Sequence, residues 1–201
     1  MMTIFYGFGS SLYVNLTNKC PCNCDFCIRH ETEGVGDSYT LWLDHTPSYE
    51  EVIEQLNEIN LSRFDEIVFC GYGEPTESLD VLLKTADEIK RRMPDMRIRI
   101  NTNGLGNLIA GRDITPLFKG RIDAVNVSLN TPNAEKYCEI VHPRFGSESY
   151  GAMLDFTRKV KKYVPDVSMS TVSTTITHEE EEQCRAICDK LGVRYRIRIY
   201  A

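Results

Sequence analysis

Positive charge is not in excess in this chain. Its 23 Lys and Arg face 29 Asp and Glu, a formal net charge of -6 at pH 7. Charge alone therefore gives no reason for broad binding to nucleic-acid phosphates or to an anionic membrane surface. No apolar run approaches the ~20 residues needed to span a bilayer. The opening MMTIFYGFGSS has no basic segment and no long apolar core, so it does not read as a signal peptide. A cytoplasmic protein with no membrane or DNA partner is expected. Repeats, low-complexity tracts and internal linkers are also missing, and 201 residues suffice for one hydrophobic core. Residues 1–201 thus read as a single domain.

Cysteine, in contrast, is plentiful, with eight residues in the chain. In a cytoplasmic setting they point to metal binding or redox chemistry before disulfides. Four crowd into NKCPCNCDFCIR: Cys20, Cys22, Cys24 and Cys27. Closely spaced thiolates on a loop suit an iron–sulfur cluster. Three ligands would leave one iron of a four-iron cluster open for catalysis, whereas four would close it. A zinc site built from Cys24, Cys27, His30 and one earlier cysteine is the competing arrangement. Cys184 and Cys188 are four apart on an expected helix and read as two small core residues.

Strand and helix patterns alternate along the chain. SLYVNLT (Ser11–Thr17) has period two and leads directly into the cysteine loop. Ser48 and Glu51 have capping-box spacing ahead of VIEQLNEI. Further strands are expected at Asp65–Gly71, Arg97–Asn103, Asp123–Asn130, Val167–Ser173 and Arg194–Tyr200. Helices are expected at Leu79–Met93, Asn133–Val141 and Glu148–Val164. Thr177 and Glu180 mark the start of one more helix. Six strands separated by helices predict an α/β fold with a parallel sheet and right-handed crossovers. The cysteine loop, GYGEP, NTNG and SLNTP all follow strands, the rim where such folds place their sites.

C-x3-C-x-aromatic-C, with Phe26 at the aromatic position, resembles the signature of the radical S-adenosylmethionine (SAM) superfamily. The resemblance implies a [4Fe–4S] cluster on Cys20, Cys24 and Cys27, with Cys22 matching no ligand position. It implies that the open iron chelates the amino and carboxylate groups of SAM. Reductive cleavage would then give a 5′-deoxyadenosyl radical that abstracts hydrogen from a substrate. Phe26 is expected against the adenine. GYGEP (Gly71, Gly73, Glu74) resembles the motif that holds the methionine amino group, with Tyr72 in place of a glycine. Asn101 matches a position that often contacts the ribose. Ser128 and Asn130 match a rim where ribose- or carboxylate-binding groups occur. Arg144 could supply the positive charge for the carboxylate that Asn130 cannot.

The stretches from about Asn18 to Tyr137 and the ending LGVRYRIRIY are similar to short radical SAM proteins associated with TatD-type hydrolases. That resemblance implies a (β/α)6 partial TIM barrel, the radical SAM core, ending with its sixth strand and carrying no second cluster domain. A low-potential electron donor of flavodoxin or ferredoxin type is implied, and a TatD-type hydrolase is a candidate partner. It names no substrate. A glycyl-radical-enzyme activase is the alternative among enzymes, and a zinc-binding interaction module the alternative of another class. RYRIRIY places Arg194, Arg196 and Arg198 on one face. They read as the charged outer face of an edge strand, or, for Arg198, as a partner for an anionic group of SAM or substrate.

Overall fold

The computed structural model describes residues 2–199. Its sheet has seven strands in sequential order: β1 (Phe5–Phe8), β2 (Ser11–Val14), β3 (Glu66–Phe69), β4 (Arg97–Thr102), β5 (Ala124–Ser128), β6 (Asp166–Val172) and β7 (Arg194–Arg198). From β2 to β7 every pairing is parallel, as the six-strand pattern predicts. The additional strand, β1, runs antiparallel to β2. It is joined to β2 by the two-residue turn Gly9-Ser10, with Gly9 at φ 60. That left-handed first position suits glycine and matches the twist of a tight hairpin. The Gly-Ser signal is present in the sequence, but FYGF is too short to declare itself by periodicity.

Helices α1 (Tyr49–Asn57), α2 (Leu79–Arg92), α3 (Gly106–Ala110), α4 (Ala134–Val141), α5 (Glu148–Val160) and α6 (His178–Leu191) connect the strands. Both expected capping boxes form. Ser48 and Glu51 exchange side-chain bonds with each other's backbone N–H, and Thr177 and Glu180 do the same. Each box satisfies two backbone donors that a helix start leaves without partners. None of these helices is long and apolar enough to cross a membrane.

The core lies between sheet and helices. Val14, Phe69, Ile100, Val125 and Val167 form one cross-strand row on the helix side. Leu82, Ala86 and Ile89 from α2, and Met153, Phe156 and Val160 from α5, close over it. Cys184 and Cys188 on α6 are fully buried members of this core. Burial pushes both thiols up to about 12, so they behave as small apolar groups.

The opposite face of the sheet, the inside of the partial barrel, is polar. Arg99 pairs with Glu66 at 2.7 Å, and Arg97 and Arg194 both pair with Asp166. Asn126 accepts from the Ser168 hydroxyl and donates to the Ser170 hydroxyl, both at 3.0 Å. A closed TIM barrel fills this space with branched apolar side chains; here paired charges and hydroxyls fill its lower part. The β7 arginines are part of this interior. Tyr195, between them, faces α6, with its ring under Arg185. The arginine face of this edge strand is thus the inner face rather than the expected outer face, although Arg194 and Arg196 stay exposed at the far opening. Tyr200, the end of the expected last strand, lies outside the described residues.

Candidate functional site

The loop after β2 carries the four clustered cysteines. Its shape is imposed by neighbours on two sides. On one side, Asn23 and Asp25 donate backbone N–H groups to the Val141 and Ile140 carbonyls at 3.0 Å. These carbonyls end α4 and have no partner within the helix, so the loop satisfies them. The chain turns at His142, in the left-handed region at φ 46, and Arg144 N–H then donates to Pro21 O at 2.7 Å.

The other wall is GYGEP, which follows β3. A Cβ on Gly73 would sit 2.1 Å from the Thr17 carbonyl oxygen, and one on Gly71 would sit 2.0 Å from Asn15 Oδ1. Both glycines are needed because this turn presses against the chain entering the cysteine loop. Glu74 N–H seals the contact by donating to Lys19 O at 2.8 Å.

Glu74 itself is only 3% exposed. One carboxylate oxygen accepts from Thr76 N–H, Thr76 Oγ1 and Thr102 Oγ1, and the other accepts from Asn103 N–H at 2.8 Å. Burial nevertheless moves its pKa above the ordinary carboxylate range. The acidic residue therefore ties the GYGEP turn to NTNG, with its second oxygen left one protein donor. Asn103, in turn, points its side-chain amide at the sulfurs of Cys20 and Cys22, 3.8 and 3.7 Å away.

These elements enclose one cavity of about 270 Å³. Cys20, Cys22, Cys24, Phe26, Cys27, Gly71, Gly73, Glu74, Asn101, Ser128 and Asn130 all line it. Every expected cluster and SAM residue except one is therefore gathered there. The exception is Arg144. Its side chain is 57% exposed, lies over Phe145 and reaches Glu77 at 3.6 Å, outside the cavity lining. Its backbone holds the cysteine loop while its charge points elsewhere. Arg198, for which an anion partner is one of the two sequence readings, also lines the cavity, as do Cys70 and Asn103, which are not among the expected contacts. Asn103 could have been found from its shared strand face with Asn101. Cys70 carried no signal, because a cysteine ending an apolar strand reads as core.

A larger cavity, about 380 Å³, opens at the opposite ends of the strands. Glu66, Arg97, Arg99, Asp166 and Arg194 line it, and these charges are already paired with one another. No thiol lies there, so size does not identify the reactive site.

The donor set fits an iron–sulfur cluster with an organic ligand beside it. The neighbouring Cys22 thiol lowers the Cys20 pKa, while Cys20 and burial raise that of Cys22. Burial, with Cys27 nearby, pushes Cys24 up to about 12. Several buried thiols resist ionising together, a cost that bound iron removes by supplying positive charge. Among the described residues, no three His, Cys, Asp or Glu side chains converge on a single metal ion. A four-iron cluster takes each thiolate on a separate iron and does not need the thiols to converge on one point. Asn130, held at φ 65 and 3% exposed, keeps its Oδ1 buried with no protein partner on the cavity wall. Such an orphaned acceptor suits a ligand donor.

Known proteins place this geometry in a wider group. The chain is 33% identical over 129 residues to a probable GTP 3′,8-cyclase of Methanocella arvoryzae, spanning 64% of this chain and 36% of that protein. It is 24% identical over 187 residues to the tungsten-containing aldehyde ferredoxin oxidoreductase cofactor-modifying protein of Pyrococcus furiosus, spanning 90% of this chain and 49% of that protein. The chain thus spans less than half the length of these relatives. In fold it resembles Streptococcus suis SuiB bound to S-adenosylmethionine, with TM-score 0.67 and 16% identity, covering 96% of this chain and 41% of the other. The model of the radical SAM superfamily matches residues 14–191, which hold strands β3 to β6 and every helix from α1 to α6. With its cysteine loop, GYGEP turn and partial barrel, the chain belongs to the radical SAM superfamily, whose members carry a [4Fe–4S] cluster and SAM.

Proposed function

We propose that this enzyme abstracts a hydrogen atom from a small substrate held inside the partial barrel, with Cys20, Cys24 and Cys27 as the cluster ligands. The observation that carries the reading is the convergence of the cysteine loop, GYGEP, Asn101, Ser128 and Asn130 on one cavity. The cluster and SAM supply the chemistry, reductive cleavage to a 5′-deoxyadenosyl radical. The protein's own residues position and shield. Phe26 packs partly against the core and offers a face for the adenine. Gly71 and Gly73 bring the turn close, and the less occupied oxygen of Glu74 accepts from the methionine ammonium. Asn101 and Ser128 serve the ribose, and the orphaned Asn130 Oδ1 accepts from a hydroxyl. Cys22 is not a ligand; it lies beside Cys20 on the same cavity wall.

The electron comes from a flavodoxin- or ferredoxin-type donor in the cytoplasm. The TatD-associated assignment, with a TatD-type hydrolase as partner, rests on the motif stretches of the sequence. The substrate of the GTP cyclases belongs to those longer proteins and enters here only as one compound to be offered. Activation of a glycyl-radical enzyme is the reading to be tested against turnover of a small molecule.

The test is anaerobic reconstitution, reduction with dithionite and chromatographic measurement of 5′-deoxyadenosine. Reductant-dependent 5′-deoxyadenosine is expected. An intact cluster that binds SAM without cleaving it sinks the proposal. Colourless protein with stoichiometric zinc after anaerobic purification would favour the zinc module instead. Offering GTP, and separately a glycine-radical-loop protein, distinguishes the substrate classes.

A further inference from the structure

Five arginines from two strands face the barrel interior, and one of them differs from the rest. Arg97 and Arg194 pair with Asp166, and Arg99 pairs with Glu66. Arg196 lies at the far opening with them. Arg198, the last residue of β7, instead lines the cavity of the cysteine loop. Among the described residues it forms no salt bridge, and its Nε is buried with no hydrogen-bond partner. The ionisable groups that act on it most are thiols (Cys70, Cys24, Cys27) and the like-charged Arg196. Burial correspondingly disfavours its charge. A guanidinium cannot shed its proton in practice, so a buried one without an acceptor calls for an anion.

Its position separates it from most of the SAM contacts. Apart from Phe26 on the cysteine loop, those sit on the walls from β3 to β5, whereas Arg198 is opposite Val172 on β6. β7 is also the last strand of the sheet, paired only with β6. Arg198 therefore stands at the open seam of the barrel, where a substrate can enter beside the reactive centre.

We propose that Arg198 is a substrate-anion subsite, taking a carboxylate or phosphate group of the molecule that is to lose hydrogen. The inference rests on the radical SAM reading of the cavity and deepens it by naming the substrate class. The planar fork of the guanidinium matches either group with two parallel hydrogen bonds.

The probes are inorganic pyrophosphate and malonate, titrated separately by ligand-observed NMR into the anaerobically reconstituted full chain. SAM affinity and iron content are measured on the same samples. At least one probe is expected to bind, and Arg198→Gln to weaken it about tenfold or more, the value of a charge-assisted hydrogen bond. Arg198→Lys keeps the charge without the fork and should retain part of the affinity. SAM affinity and iron content should stay at wild-type levels in both variants. Preference for pyrophosphate points to a phosphorylated substrate, and preference for malonate to a carboxylic acid. Failure of both probes to bind, unchanged probe affinity in Arg198→Gln, or a parallel loss of SAM affinity would overturn the proposal. The probe titrations do not need SAM, so a failure of SAM binding in wild type would strike the underlying reading separately.

Discussion

Arg99 Nη1 donates to Asn101 Oδ1 at 2.7 Å, from the preceding inward-facing position of β4. A guanidinium has only donors, so the amide of Asn101 must turn its oxygen to Arg99 and its NH₂ toward the cavity. Arg99 is itself fixed by Glu66 through Nε at 3.2 Å and Nη2 at 2.7 Å. An ion pair in the lower barrel thus sets the donor face that Asn101 presents to a cavity ligand.

Arg99→Met removes that orientation and leaves Glu66 only Arg97 at 3.7 Å and the Ser11 hydroxyl at 3.3 Å. Loss of one partner from a largely buried pair should cost about 3 kcal/mol in stability. The double variant Arg99→Met with Glu66→Gln should recover part of that loss. SAM affinity should stay weakened in both, because Asn101 is free to rotate in both. Denaturant melts and equilibrium dialysis with SAM separate the two effects.

Cys24→Ala should lose the cluster, and Cys22→Ala should keep it. Iron and sulfide analysis with electron paramagnetic resonance of the reduced protein reads both. Loss of the cluster from Cys22→Ala alone would contradict the three-ligand assignment.

Gly73→Ala drives a methyl into the Thr17 carbonyl, 2.1 Å away. The cysteine loop and GYGEP must then part, at a cost of about 2–3 kcal/mol for overpacking, and cluster incorporation should fall with it. Gly111, at φ 64 with nothing within 4 Å of a Cβ, is the control. Gly111→Ala should cost only about 1 kcal/mol, the left-handed penalty, and leave the cluster intact. Thermal melts and iron content compare the two.

Glu88 on α2 accepts from Arg91 and Arg92 at 2.7 Å, which holds its carboxyl down to about 2. An unfolded Glu titrates near ~4.3. Because the folded value is the lower one, the stabilisation is complete above the unfolded value and fades as pH falls toward the folded one. Wild type should therefore exceed Glu88→Gln in stability at neutral pH, by at most about 1 kcal/mol for so exposed a network. The difference should vanish near the acid end of a pH series of urea melts.

Local signals carried much of the fold. Ser48 and Glu51, or Thr177 and Glu180, start helices through bonds made within four residues, so their spacing suffices to place them. The period-two rows of β2 and β4 likewise depend on which side chains alternate, a property of the chain alone. β1 escaped because its pairing partner, and not its own four residues, makes it a strand.

The cysteine spacing, GYGEP and NTNG by themselves named the chemistry, because each motif is contiguous and follows a strand. The tertiary structure decided which charges take part. Arg144 and Arg198 look equally plausible as cations along the chain, yet one projects away beside Glu77 and the other faces the thiols. The tertiary structure also gave Gly73 its reason, a carbonyl from the loop preceding the cysteines rather than a ligand. Contacts of this kind join residues tens of positions apart, and their direction is set by barrel curvature and loop packing, which no local pattern encodes.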